Sequence, residues 1–431
     1  MLAALIGDQA FDQRPRPGIE LGLAGVRLGS GIELGICGLR RRGRSCMHGD
    51  GLLARMASRP AIGYETSMPD PLRVAIVLPR HMRFSRRGAT SIDLVAHDLL
   101  LFSRHRASSV VVAELVDDPF DDVAVVPFAR WPFEPHAVLG WRLGRRVAVR
   151  GVDVVVVHQH LPTAAALTRA VAPVPVVFHT HGWPKPPKNP FDRVRRHHLL
   201  SRFAGIVLVS EACRAAFVEA WGPDIPSHAV PNALDLSTWR PAAAREPLIV
   251  MAARLSPEKG LLETAQALAK VLPALPDDWR AEMFGAMGDR FPDYTAAVSA
   301  ALAPLGERVT LHGDRPHADV QAAFERAAIA LVPSKVREAF GRTALEAFAG
   351  GAAVAASPVG GLAELIEGCA LPLPDVSADA IAEAIRRLAA DEILRADLAA
   401  KGQGRAAGFD IRTAAAAYDG LLEAAAASPK R

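Results

Sequence analysis

The sequence predicts an α/β protein made of two Rossmann-like domains that face each other across a cleft. Three observations carry the prediction. The chain has 431 residues, which suits two domains of ordinary size better than one. Short apolar runs alternate with helical stretches, the pattern of a βαβ series whose parallel sheet is buried on both faces. That alternation breaks at residues 235–247 (DLSTWRPAAAREP) and then restarts.

The first series opens with the run 72–78 (LRVAIVL) and continues at 110–115, 152–157, 174–178 and 206–209. Helical stretches at 91–104 and 163–170 lie between these runs, and another at 211–221 follows the last. After the break, strands are expected at 248–252, 280–284, 309–312, 329–332 and 352–356. The last helix, 413–427, is Ala-rich and is expected to cross back onto the first domain. The domain boundaries that follow are 68–240, 241–410 and a crossing helix at 411–431. In such sheets ligands bind at the carboxyl ends of the strands, so functional motifs belong just after them.

Composition excludes several classes. Half the residues are hydrophobic and 22% are charged, the balance of a globular enzyme rather than a disordered chain. Four cysteines without a CxxC pair make no disulfide framework. No apolar run approaches the roughly 18 residues of a membrane-spanning helix.

The net charge is +4, and residues 1–67 hold nine Arg, no Lys and six acidic residues, which is +3 of that total. The basic balance therefore implies no nucleic-acid partner. Residues 1–67 read as a flexible extension or as a start assigned too early, with Met68 just ahead of the first strand. The competing reading is a basic arm, centred on Arg40, Arg41, Arg42 and Arg44, that touches an anionic partner.

The most specific motif is PSKVREAFGRTALEA, residues 333–347. A strand ends at Val332, a loop runs to Gly341, and a helix begins near Arg342 or Thr343. Glu338 lies in the loop and Glu346 about one turn into the helix. Two carboxylates thus flank a helix N-terminus, whose free N–H groups and dipole suit a phosphate. Each carboxylate can accept paired hydroxyl groups. The ordinary alternative is one solvated loop charge and one surface pair.

RLSPEKG, residues 254–260, follows a strand directly. Ser256 is expected to cap a helix with Pro257 at its first position. Lys259 then falls in the first turn, where a cation opposes the dipole unless an anion binds. With Arg254 it can hold a diphosphate and stabilise it as a leaving group. A surface lysine beside an ordinary cap is the alternative.

FSRRGATSI, residues 84–92, places Gly88 and Ala89 before a helix, where backbone can approach a ligand. It is not GxGxxG, which speaks against a nicotinamide cofactor; an ordinary tight turn explains it as well. His158 and His160 follow one strand, and His179 and His181 the next. Two i, i+2 pairs on adjacent strands can ligate a metal, but no carboxylate ligand stands nearby in sequence; a polar cleft lining that binds hydroxyls is the preferred reading, and a structural histidine is the alternative for any one of the four. The acidic loop of Asp117, Asp118, Asp121 and Asp122 fits no metal motif.

Together these segments resemble the family 4 retaining glycosyltransferases of the GT-B fold, over residues 72–427. The residues that carry the resemblance are Pro333, Ser334, Glu338, Phe340, Gly341, Leu345, Glu346 and Ala347, together with RLSPEKG. VPNALDLSTWRP (230–241) resembles the family's interdomain segment, and SPVGGLAELIEG (357–368) its late Gly-Gly-x-x-Glu segment.

The resemblance implies that 68–240 takes the acceptor and 241–410 the nucleotide-sugar donor. Glu338 would meet the donor sugar, Glu346 the ribose diol, and Arg254 and Lys259 the diphosphate. Phe340 and Gly341 would set the loop, and Gly313 and Asp314 would lie near the base. Gly88 and Ala89 would form an acceptor or phosphate loop. His179 would stand beside the reacting sugar, with His181 as the competing assignment. Ala339 departs from the usual Gly or Pro, and the glycine loop has one clear Gly, which touches the acceptor side.

The implied reaction is retaining transfer of a hexose-type sugar from a UDP-sugar, with a GDP-sugar as the alternative. The acceptor would be a glycan, a lipid-linked molecule or a small molecule, in cell-envelope glycan synthesis. No metal or other cofactor is expected. The basic and aromatic residues of 185–198, with Trp183, Arg142, Arg145, Arg146 and Arg150, suit contact with an anionic membrane from the cytoplasmic side; a solvated helix and hinge loop is the alternative. The competing functions are a GT-B sugar-nucleotide epimerase, a metal-dependent hydrolase using the HxH pairs, and a catalytically dead glycan-binding relative.

Overall fold

A computed structural model describes residues 70–78, 82–86, 88–285 and 291–428. The reading of residues 1–67 as an extension or misplaced start lies outside the described residues, as does Arg87.

The first sheet contains β1 (Val74–Val77), β2 (Val110–Glu114), β3 (Val125–Phe128), β4 (Val154–His158), β5 (Val176–Thr180), β6 (Gly205–Leu208) and β7 (Ser227–Ala229). Every neighbouring pair is parallel, in the order β3-β2-β1-β4-β5-β6-β7. The second sheet contains β8 (Glu246–Ala252), β9 (Arg280–Phe284), β10 (Val309–Gly313), β11 (Ala327–Val332), β12 (Ala353–Ala356) and β13 (Leu371–Pro372). It too is all parallel, in the order β10-β9-β8-β11-β12-β13. The apolar runs do what their composition requires: all five residues of β4 and all four of β12 are buried.

Helices connect the strands. Around the first sheet lie α1 (Ser91–Leu101), α2 (His136–Ala148), α3 (Leu161–Ala170), α4 (Pro190–Leu200) and α5 (Glu211–Trp221). Around the second lie α6 (Leu261–Val271), α7 (Pro292–Leu302), α8 (His317–Arg326), α9 (Arg342–Ala349), α10 (Gly361–Ile366), α11 (Ala378–Ala390) and α12 (Glu392–Ala406). Local chemistry sets their starts. Thr90 and Asp93 form a capping box at α1, and the Ser210 hydroxyl accepts the Cys213 N–H at α5.

α13 (Ile411–Ala427) lies over the first sheet, against α1, β4 and β5. The chain crosses between the domains twice, and the two crossings run side by side. The Leu234 N–H donates to the Phe409 carbonyl at 3.0 Å, and the Ile411 N–H to the Leu234 carbonyl at 2.9 Å.

The order of strands places the site. In each sheet the chain reverses direction beside the first strand, so β1/β4 and β8/β11 are the topological switch points. The glycine loop and the first histidine pair leave from β1 and β4. RLSPEKG and the two-glutamate loop leave from β8 and β11. Among the described residues no helix is long and apolar enough to cross a membrane.

Candidate active site

Gly260 locks the loops after β8 and β11 together. It takes the left-handed conformation at φ 71°, and a Cβ there would stand 2.3 Å from the Pro333 carbonyl oxygen. This turn corrects one expectation. Pro257–Lys259 is a single turn of 3-10 helix, and α6 starts only after Gly260. Lys259 therefore does not sit in the first turn of an α-helix. The Ser256 hydroxyl does not cap the turn; it is buried with no partner among the described residues.

The turn instead aims Lys259 Nζ at the Glu338 carboxylate, and the two form a largely buried ion pair. Glu338 is held by its backbone. It bridges to Gly360, and the Gly361 N–H donates to its carbonyl at 2.8 Å. Gly360 has φ 60°, and a Cβ there would stand 2.3 Å from that same carbonyl oxygen. Arg254 is mostly exposed and pairs with Glu258 at 3.2 Å.

Phe340 is buried and meets Phe409 edge-on at 5.5 Å. Gly341, at φ 104°, turns the chain into α9. Glu346, one turn along, is 6% exposed. Its Oε1 accepts from His317 Nε2 and from Arg342 Nε, each at 2.9 Å. Burial would push this carboxyl up; His317 and Arg342 overcome it and hold it at about 2. Gly313 is buried at the end of β10 and Asp314 is exposed. The loop they begin carries His317 to Glu346.

The first domain contributes the opposite wall. The Ser210 hydroxyl donates to the Ala339 carbonyl at 2.7 Å, and the Ala212 N–H donates to Glu364 at 2.9 Å. Asp98 on α1 accepts from Arg342 Nη2 at 3.1 Å. Gly88 (φ 72°) and Ala89 stand half-buried ahead of α1.

His158 and His179 are register partners on β4 and β5 and are fully buried. His158 Nδ1 lies 2.9 Å from His181 Nε2, and His179 Nδ1 lies 3.2 Å from the Tyr418 hydroxyl on α13. Burial holds His158 at about 3, and it pushes His179 and His181 well below the ordinary value. The nearby Arg342 charge also lowers His181. The ligand atoms of His158, His179 and His181 lie within 4.8 Å of one another, a spacing that can hold a metal ion. His160 turns away to the Thr163 hydroxyl at 2.7 Å, so the two HxH pairs do not form one four-histidine set.

Arg342, His317, Asp98, Ser210 and Tyr418 were not read as site residues in the sequence. Only Arg342 left a local signal, as a cation at the first position of a helix inside the two-glutamate motif.

Residues 95–238 match the model "Glycosyltransferase Family 4", and residues 239–405 match "Glycosyl transferases group 1". The chain is a family 4 glycosyltransferase of the GT-B fold. Similar proteins include the phosphatidyl-myo-inositol mannosyltransferase of Mycobacterium tuberculosis. It is 24% identical over 64% of this transferase and 75% of that protein. An exopolysaccharide phosphotransferase of Streptomyces coelicolor is 34% identical, over 44% of this transferase. The transferase spans only 20% of that relative's length. Among solved structures, Anabaena HepE in complex with UDP and glucose superposes with a TM-score of 0.68 at 20% identity. That match covers 82% of the transferase and 99% of HepE.

Proposed function

We propose that the transferase moves a hexose-type sugar from a UDP-sugar to a glycan, lipid-linked or small-molecule acceptor, with retention of configuration. One observation carries the reading: the Lys259–Glu338 pair and the anchored Glu346 carboxylate flank the start of α9 at the β8/β11 switch point. A uridine donor is supported by the HepE complex, which holds UDP. A lipid-linked acceptor is supported by the mycobacterial mannosyltransferase.

In this reading the diphosphate meets the free N–H groups at the start of α9, with Lys259 and Arg254 neutralising its charge. Glu338 then accepts sugar hydroxyls and Glu346 the ribose diol, while Gly313 and Asp314 border the base. The leaving phosphate takes the acceptor proton on the face it departs from. No metal is required, because the cations and N–H groups supply the charge neutralisation. His181 is half-buried and close to the Arg342 charge, whereas His179 is sealed against Tyr418. These features support assigning His181 to the reacting sugar, the competing assignment to His179, with His179 behind it. Gly88 and Ala89 border the acceptor.

A peripheral contact with anionic membrane belongs to the same proposal. Trp131, Phe133, Trp141 and Val149 are exposed within 20 residues that also hold Arg142, Arg145, Arg146 and Arg150. Apolar rings beside cations suit an anionic headgroup layer.

Thermal melts with UDP-, GDP- and ADP-glucose test the donor, because a ligand bound by the folded state alone raises its stability. UDP-glucose should raise the transition most. A shift with none of the three would refute a nucleotide-sugar donor.

A further inference from the structure

A guanidinium at the first position of a helix opposes the helix dipole, and burying it demands compensating anions. Arg342 meets both conditions: it opens α9 and is 9% exposed. Its anions come from the two domains. Nε donates to Glu346 Oε1 at 2.9 Å, and Nη2 donates to Asp98 Oδ2 at 3.1 Å. Nη1 is buried with no partner among the described residues. Asp98 is itself approached by His97 Nδ1 at 3.2 Å, and His97 Nε2 lies 2.8 Å from Asp122.

The effect on Glu346 is directional. Both His317 and Arg342 bind the same oxygen, Oε1. The carboxylate plane is thus anchored at one corner, and Oε2 is the oxygen left to accept a hydroxyl. A lysine could neutralise the charge but could not bridge Glu346 and Asp98 with a rigid fork.

We propose that Arg342 is a positioning residue for transfer. It fixes the orientation of Glu346 toward the donor, and through Asp98 it makes that orientation depend on contact with the first domain. The inference rests on Glu346 binding the donor ribose.

The test is calorimetric titration of UDP, with steady-state kinetics, on the wild type and four variants: Asp98→Asn, Arg342→Lys, Glu346→Gln and the Asp98→Asn/Glu346→Gln double variant. The expected result is a fivefold or larger loss of UDP affinity in Asp98→Asn, although Asp98 stands on the other domain. The double variant should be no weaker than Glu346→Gln, because both changes break one relay. Arg342→Lys should keep the melting temperature near wild type and still lose affinity.

Wild-type UDP affinity in folded Asp98→Asn would overturn the inference. So would losses that multiply in full in the double variant. Unchanged UDP affinity in Glu346→Gln would overturn the ribose reading, and this inference with it. A loss in Glu346→Gln without one in Asp98→Asn would remove the inference alone.

Discussion

Glu346→Gln removes one charge from a buried cluster and should leave a pH signature. The carboxyl stands at about 2 in the fold against an ordinary 4.5. At about 1.36 kcal/mol per pKa unit, the ionised form contributes about 3 kcal/mol. The folded value is the lower one. The contribution is therefore complete above the unfolded value and is lost as pH falls toward the folded value. Glutamine lacks it at every pH and leaves the Arg342 guanidinium with Asp98 as its remaining anion. For a domain of roughly 150–250 residues, 1 kcal/mol moves the melting temperature by about 2–4 °C. Calorimetry should thus show the variant about 6–12 °C less stable than wild type at neutral pH. The gap should narrow steadily between the ordinary carboxyl value of 4.5 and about 2. Comparing variant with wild type cancels the titrating groups that do not touch Glu346. A gap that stays constant across that window would refute the assigned role of the charge, as would no gap at neutral pH.

Three further outcomes follow from the same structure. Gly360→Ala would press a Cβ to 2.3 Å of the Glu338 carbonyl oxygen and should destabilise the protein and abolish transfer. Gly368→Ala, also at positive φ but with nothing within 4 Å, should keep turnover in the same assay. The His158, His179 and His181 imidazoles are held neutral below their ordinary value of 6.5, whereas the unfolded chain takes up protons there. Stability should therefore fall as pH drops below about 6.5, and His158→Asn should flatten that slope in melts across pH. Flotation with phosphatidylglycerol vesicles should carry the wild type upward, and Trp141→Ser/Arg145→Glu should stay at the bottom; equal flotation of both would exclude this face.

The fold was legible where the chain is most regular. The runs 110–115 and 280–284 became β2 and β9, and the helix at 211–221 became α5. β3 was missed because it is four residues long and contains Pro127. β7 was missed because SHA has no apolar pattern. α2 hid behind two glycines. They are needed because Gly140 and Gly144 pack on Ala166 and Ala170 of α3, where added Cβ atoms would come within 2.3 and 2.6 Å.

The site was half legible for a related reason. Lys259, Glu338, Phe340, Gly341 and Glu346 stand in two short motifs, so their spacing shows in the sequence. Asp98 and Arg342 are 244 positions apart, and His179 and Tyr418 are 239. Such pairs are made by the domain crossing, and no local pattern records them. The first turn after β8 was misread because Gly260 was not taken as a left-handed stop.

In the proposed function a nucleoside diphosphate is held between Lys259–Glu338 and Glu346. Isothermal titration of UDP into wild type, Lys259→Ala and Glu346→Ala tests it most directly. The wild type should show one site, and each folded variant should bind at least tenfold more weakly. UDP bound equally well by all three proteins would contradict it.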